Sequence, residues 1–344
     1  MLGLRFRLAL RSAIGASVAL LVALAFSWPY PYWTALMVIV VMSPSLAAGT
    51  GLFTRRLLGI ASGAFLGFVV VASCGQDRLP FLLASAAVFF VVGAGASAPV
   101  FGPTFMMGGI AFASVSLFGL ADFDHAAIFA FYRFGEAAFG LLVFTISHLL
   151  IWPGMVGPAP TPAPPAALDA PTFLGLSWNR WRSGLRLAAG CATAQVIWWE
   201  LRPPGAYAVV LITCVLMTLN APVARPCILY ALSGMVCGIV AAFAVAYLGW
   251  AALPMGSETL VLTVAPVLFL FAYVQTAGPP FAVFGIFGSI IFLVAMTFSN
   301  AQTLDLQAFI SKSLGLAIGG VVAAFVLRIF GPHTHQGEGE PIFF

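Results

Sequence analysis

The sequence predicts an all-α integral membrane protein. About 12 transmembrane helices form two parallel six-helix repeats, related by a pseudo-two-fold axis along the membrane normal, with both termini cytoplasmic. Three observations carry this expectation. Of 344 residues, 62% are hydrophobic and 7% are charged, and mean hydropathy is +1.08. Soluble domains hold about 25% charged residues, so these residues cannot coat a water-facing surface and must face lipid. The apolar runs are continuous instead of alternating, which argues against a β-barrel. The punctuation of the chain also recurs after 175 residues.

The first element is the hardest to place. Arg5, Arg7 and Arg11 precede an apolar run at 13–26 that contains Ala23-Leu24-Ala25. That is the layout of a cleaved signal peptide. The same basic, apolar, Pro-Tyr unit recurs at 180–207, where a signal has no reason to be, so the run is expected to stay as span one. Residues 27–45 then read SWPYPYWTALMVIVVMSPS. The prolines stop one helix and reset the next, and the aromatics suit an interfacial belt. This stretch is expected to be the outer turn and span two, with Pro44 ending or kinking that span. Spans three to six fall at roughly 57–74, 80–98, 103–121 and 132–152, each about the length that a hydrocarbon core of ~30 Å requires.

The second half repeats the plan at roughly 184–201, 206–222, 229–249, 257–274, 281–298 and 308–329. A shift of 175 places Arg5, Arg7 and Arg11 on Arg180, Arg182 and Arg186, Pro29 on Pro204, and Tyr32 on Tyr207. It also places Gly59 and Gly63 on Gly234 and Gly238, and Gly140 on Gly315, while Gly102-Pro103 meets Gly278-Pro279 at 176. The predicted domains are a first membrane repeat at 1–152, a Pro/Ala-rich cytoplasmic linker at 153–175, a second repeat at 176–330 and a cytoplasmic tail at 331–344. With the N-terminus inside, ten arginines are cytoplasmic (Arg5, Arg7, Arg11, Arg55, Arg56, Arg180, Arg182, Arg186, Arg225 and Arg328), against Arg78 and Arg202 outside. The excess follows the positive-inside rule.

Ions inside a membrane are costly and mark function by default. Arg133 and Glu136 lie three residues apart on one helical face, where they can pair. They read either as a stabilising salt bridge near the outer end or as an anion-binding arginine held by a titratable acid. In the second half Lys312 stands near the arginine's place and Ser311 aligns with Glu136. Lys312 needs an anionic substrate, a remote carboxylate such as Asp305, or a snorkelling path to the interface. Arg55 and Arg56 read as inner anchors that also attract anions at the cytoplasmic mouth. His148 reads as a core histidine or a proton relay.

Other classes find no support. Cys74, Cys191, Cys214, Cys227 and Cys237 show no metal spacing. No basic stripe with interleaved aromatics points to nucleic acid. There is no HExxH, GxSxG or P-loop, so neither an enzyme nor a bound cofactor is expected.

Pro31-Tyr32-Trp33, Ser43-Pro44-Ser45-Leu46, Arg56-Leu57-Leu58-Gly59 with Gly63 and Gly67, the Arg133/Glu136/Gly140 pattern and the exit Trp152-Pro153 together resemble the fusaric acid resistance (FUSC) and aromatic acid exporter family. The resemblance covers the first half well and the second mainly through the repeat. It implies a multi-pass protein of the bacterial inner membrane. That protein exports small, aromatic carboxylic acids on the proton gradient, with a periplasmic membrane-fusion adaptor and an outer-membrane channel. It also implies similarity to the aluminium-activated malate channels of plants. Many relatives carry a cytoplasmic domain after the sixth span, where this chain has only the proline tether. A passive organic-anion channel and a non-transporting scaffold subunit remain alternatives, and homo-oligomerisation is left open. In the exporter, Arg133 and Lys312 attract substrate and Glu136 takes part in coupling.

Overall fold

The structure, a computed structural model, describes residues 2–41, 50–98, 101–152, 172–173, 176–201, 207–219, 226–249, 257–278, 280–296 and 305–330. The 43–46 motif, most of the proline linker, Arg202, Pro204, Arg225 and the 331–344 tail lie outside them. Among the described residues the chain is almost wholly helical. The first half holds α1 (Leu2–Ala25), α2 (Tyr32–Val41), α3 (Thr50–Cys74), α4 (Arg78–Ala96), α5 (Gly102–Ala121) and α6 (Ala126–Leu150). The second holds α7 (Trp178–Leu201), α8 (Tyr207–Leu219), α9 (Pro226–Phe243), α10 (Ser257–Gln275), α11 (Phe281–Ala295) and α12 (Leu306–Ile329). A π-helical turn, Ala244–Gly249, extends α9, and Pro266 interrupts the hydrogen-bond ladder of α10. One element was not expected. β1 (Thr172–Phe173) pairs antiparallel with β2 (Leu176–Ser177) where the linker was placed.

α1 starts at Leu2, ahead of its apolar run at 13–26, so Arg5, Arg7 and Arg11 are helical. It ends as a Schellman motif. The Trp28 N–H donates to the Ala23 carbonyl at 3.0 Å and the Ser27 N–H to that of Leu24 at 2.9 Å. Ser27 stands at the left-handed position with φ 55°. This cap reverses the chain before Pro29.

Seven helices are long and apolar enough to cross a membrane, and α2, α8, α10 and α11 are shorter apolar helices. α7, which carries Arg180, Arg182, Arg186 and Glu200, is not among the seven. Leu58, Phe65, Leu83, Phe131, Leu229, Val240, Leu262 and Phe325 are all exposed on outward faces. Side chains of this kind in contact with solvent identify that solvent as lipid.

Packing between helices repeats. α3 packs on α5 and α9 on α11; α2 packs on α6 and α8 on α12. Contacts between the halves are reciprocal. α1 packs on α10 as α7 packs on α4, and α2 packs on α11 as α5 packs on α8. Small residues permit the closest approach. A Cβ at Gly59 or Gly63 would run into the backbone of Thr104 or Gly108, and one at Gly234 or Gly238 into that of Phe284 or Gly288.

These contacts correct the register between the halves. Gly59 and Gly63 do correspond to Gly234 and Gly238. Their partners Thr104 and Gly108 correspond to Phe284 and Gly288, however, a shift of 180 instead of 176. In the same way Gly140 closes on the Thr34 carbonyl and Met37, while Gly319 closes on the Val209 carbonyl and Ile212. Val209 and Ile212 are Thr34 and Met37 shifted by 175. Gly319, not Gly315, is therefore the counterpart of Gly140. On that register Lys312 falls on Arg133 and Gly315 on Glu136; Ser311 is not the glutamate's counterpart.

Candidate functional site

Among the described residues α2 and α8 cover 10 and 13 residues. At 1.5 Å per residue they span roughly 15 and 20 Å, against ~30 Å of hydrocarbon. They are nevertheless central. Every residue of α2 is buried, and so is α8 from Ala208 to Thr218. The Trp33 N–H at the start of α2 donates to the Tyr30 carbonyl at 3.1 Å and the Thr34 N–H to that of Pro31 at 3.2 Å, so what this buried start aims into the protein is the positive end of the helix dipole. α2 starts at Tyr32 and the described part of α8 at its counterpart Tyr207, and Tyr32, Tyr207 and Arg133 lie within electrostatic range of one another. The two starts therefore face one region.

Arg133 and Lys312 stand in that region. Arg133 lies two turns into α6 and is 3% exposed. Its Nη2 pairs with Glu136 Oε2, one turn further along. Glu136 Oε1 accepts the Tyr30 N–H at 3.1 Å, which ties α6 to the turn ahead of α2. The guanidinium lies 4.1 Å from the ring centroid of Trp33, 5.3 Å from that of Phe129 and 5.6 Å from that of Tyr30. Phe118 stacks on Phe129 at 3.9 Å and closes the box. Aromatic faces stabilise the cation's charge but accept nothing from its in-plane N–H groups. Arg133 Nε and Nη1 are buried without a hydrogen-bond partner.

Lys312 is 8% exposed, and its Nζ lies 5.3 Å from the Tyr32 ring centroid. Among the described residues no carboxylate pairs with it. Asp305 is not its partner. Its side chain caps α12, accepting from the N–H groups of Gln307 at 2.9 Å and Ala308 at 3.1 Å. The region thus holds two cations and one carboxylate, next to two positive helix ends.

Below it, between α2, α5, α8, α11 and α12, lies an apolar cavity of about 20 Å³, room for about one water. Its walls come in corresponding pairs: Leu36 with Leu211, Val40 with Val215, and Ile110 with Ile290. Trp33 forms one wall of this narrow apolar cavity.

The other predicted residues lie elsewhere. His148 is fifteen residues beyond Arg133 on α6, ~22 Å away, stacked on Phe144 at 5.9 Å with Nδ1 unpartnered. α3 approaches the start of α6 near Val71, because Gly119 faces both Val71 and Ala126. Arg56 is fifteen residues back from Val71, at the opposite end. It is 1% exposed, with Nε and Nη2 unpartnered, so it is no surface anchor. Arg55 lies half-buried over the Phe101 ring at 5.7 Å. Outside the spans, His125 Nδ1 lies 2.8 Å from Asp122 Oδ1. That hydrogen bond raises the imidazole above its usual value.

Sequence reasoning missed the aromatic box and the tyrosine pair, although the Pro-Tyr element recurring at 32 and 207 pointed to them. Two family models match the chain: fusaric acid resistance protein-like over residues 18–146 and fusaric acid resistance protein family over residues 173–339. The chain belongs to the fusaric acid resistance family. Membership fits its apolar helices and makes it a multi-pass membrane protein. No curated protein and no solved structure matches it. Among the residues that carried the resemblance, the fold brings Arg133, Glu136 and the Tyr32 motif together, while Arg56 lies at the opposite end.

Proposed function

We propose that this fusaric acid resistance family member exports small organic anions, aromatic carboxylates in particular. The observation that carries the reading is the net positive charge left at the starts of α2 and α8, where Glu136 pairs with Arg133 and, among the described residues, no carboxylate pairs with Lys312. A carboxylate supplies what the site lacks. Its oxygens accept from Arg133 Nε and Nη1 and from Lys312 Nζ, in charge-assisted bonds of the strong class. Short helices with their positive ends on an anion are a recurrent transporter device. The box of Tyr30, Trp33, Phe129 and Tyr32 offers an aromatic ring surfaces to stack on.

The reading extends to architecture. Reciprocal packing, and a separate family match in each half, support two parallel repeats of six membrane helices with both termini on the cytoplasmic side of a bacterial inner membrane. Export is driven by the proton gradient. Glu136 competes with the anion for Arg133, and protonation removes that competitor, so the hold of the site on the anion follows the protonation of Glu136. A periplasmic adaptor and an outer-membrane channel complete the route.

One observation favours a second reading. A narrow apolar cavity also suits a channel that gates by dewetting. Uptake of benzoate into everted vesicles separates the two. An exporter accumulates benzoate and stops when a protonophore is added; a channel equilibrates it with or without the gradient.

A further inference from the structure

Arg11 in α1 and Arg186 in α7 were counted among the cytoplasmic arginines, and both side chains are buried. Arg11 is 4% exposed and Arg186 is 8% exposed. They correspond to one another at the 175-residue shift. Arg11 Nε and Nη1 and Arg186 Nε are buried with no hydrogen-bond partner. No carboxylate pairs with either among the described residues. An isolated charge in this setting costs several kcal/mol unless something compensates it.

The surroundings suit an anion. Arg186 lines a small cavity with Ser183, Thr218, Met217 and Leu327. The Thr218 hydroxyl gives its proton to the Cys214 carbonyl at 2.7 Å, and Arg186 Nε has no hydrogen-bond partner, Thr218 included. The C-terminal end of α8 favours a nearby cation through its dipole, but it leaves Nε unpaired. Arg11 has His148 within electrostatic range. His148 corresponds to Leu327 on the α6–α12 register of 179, so the two arginines share one framework. Thr218 is eleven residues along α8 from Tyr207, ~16 Å, with the narrow apolar cavity between.

We propose that Arg11 and Arg186 are a second pair of anion-binding stations, one in each half, that take a carboxylate on the far side of the apolar cavity from Arg133 and Lys312. Sites at both ends let an anion be held before and after it crosses the apolar segment, as multi-site pathways require. The assignment rests on the anion-transport reading, but its test does not share that reading's failure.

The test is equilibrium binding of radiolabelled benzoate to the full chain in phosphatidylcholine nanodiscs. Arg133→Gln/Lys312→Gln removes the first site and is expected to leave a saturable component. Adding Arg11→Gln and Arg186→Gln weakens that component at least about tenfold, the size of a lost charge-assisted bond. Arg11→Lys and Arg186→Lys keep the charge and restore part of it, which excludes simple unfolding. A second copy of the assay uses Glu338→Gln/Glu340→Gln in the full chain; the saturable component persists there. No saturable component in the Arg133/Lys312 variant, or one indifferent to Arg11 and Arg186, overturns the proposal. So does arginine-dependent retention of phosphatidylglycerol with no benzoate binding, which would assign the site to a lipid phosphate.

Discussion

Lys312 holds in α12 the place that Arg133 holds in α6, and each cation faces an aromatic at the start of α2. Lys312 Nζ lies 5.3 Å from the Tyr32 ring centroid and Arg133 Cζ 4.1 Å from that of Trp33. The acid one turn beyond the arginine has no equivalent, because Gly315 stands where Glu136 would be repeated. One side of the pair is therefore a cation held by a titratable carboxylate, and the other is a cation awaiting an anion.

Neutralising either cation should lower anion flux. Arg133→Gln and Lys312→Gln are each expected to reduce benzoate transport at least about tenfold, the worth of a charge-assisted hydrogen bond. Arg133→Lys should recover only part, because an ammonium does not present the planar fork that two carboxylate oxygens fit. Initial rates in proteoliposomes measure this.

Glu136→Gln should separate anion movement from proton coupling. The amide oxygen still accepts the Tyr30 N–H, so the turn ahead of α2 keeps its anchor, while the charge that neutralises Arg133 is gone. Downhill benzoate flux is expected to persist and gradient-driven accumulation to disappear. Unchanged accumulation would remove Glu136 from the coupling role.

How much of this was legible in the sequence varies with the kind of signal. The Arg133–Glu136 pair was readable because an i,i+3 spacing fixes a shared face whatever surrounds the helix. The Lys312 register was not. A slip of four residues turns a helix by about 400°, only ~40° past a full turn, so Gly315 and Gly319 both fit the same face and only the contact with Val209 chooses between them. The meeting of Tyr32 with Tyr207 arises from packing between halves far apart in the chain, which no local pattern encodes. Arg11 and Arg186 were read from their place near a membrane end, and burial by neighbouring helices overrode that expectation.

Helix approach at the glycine crossings gives a stability test. Gly63→Ala places a methyl against the Gly108 backbone, which cannot yield as a side chain does. A cost of about 1–3 kcal/mol is expected from overpacking, read as a lower melting midpoint in detergent. Gly234→Ala should behave alike against the Phe284 backbone. Gly135→Ala is the control. Nothing lies within 4 Å of a Cβ there, and the higher helix propensity of alanine makes it neutral or slightly stabilising.

The outer turn should titrate. Asp122 raises the His125 imidazole above its ordinary value. A raised folded value means that the small stabilising contribution is full below the unfolded value and is lost as pH rises through the folded one. Ring chemical shifts of His125 should report a midpoint above that of an unfolded peptide, and Asp122→Asn should lower it. An unchanged midpoint would remove the pair from solution.

The central claim is that Arg133 and Lys312 together bind the transported anion. The most direct measurement is accumulation of a panel of aromatic acids in everted vesicles, with and without a protonophore, for the wild-type chain and for Arg133→Gln/Lys312→Gln. The account predicts gradient-dependent accumulation by the wild type, abolished by the protonophore and by the double substitution. Full accumulation by the double variant, in vesicles holding equal amounts of folded protein, would contradict it.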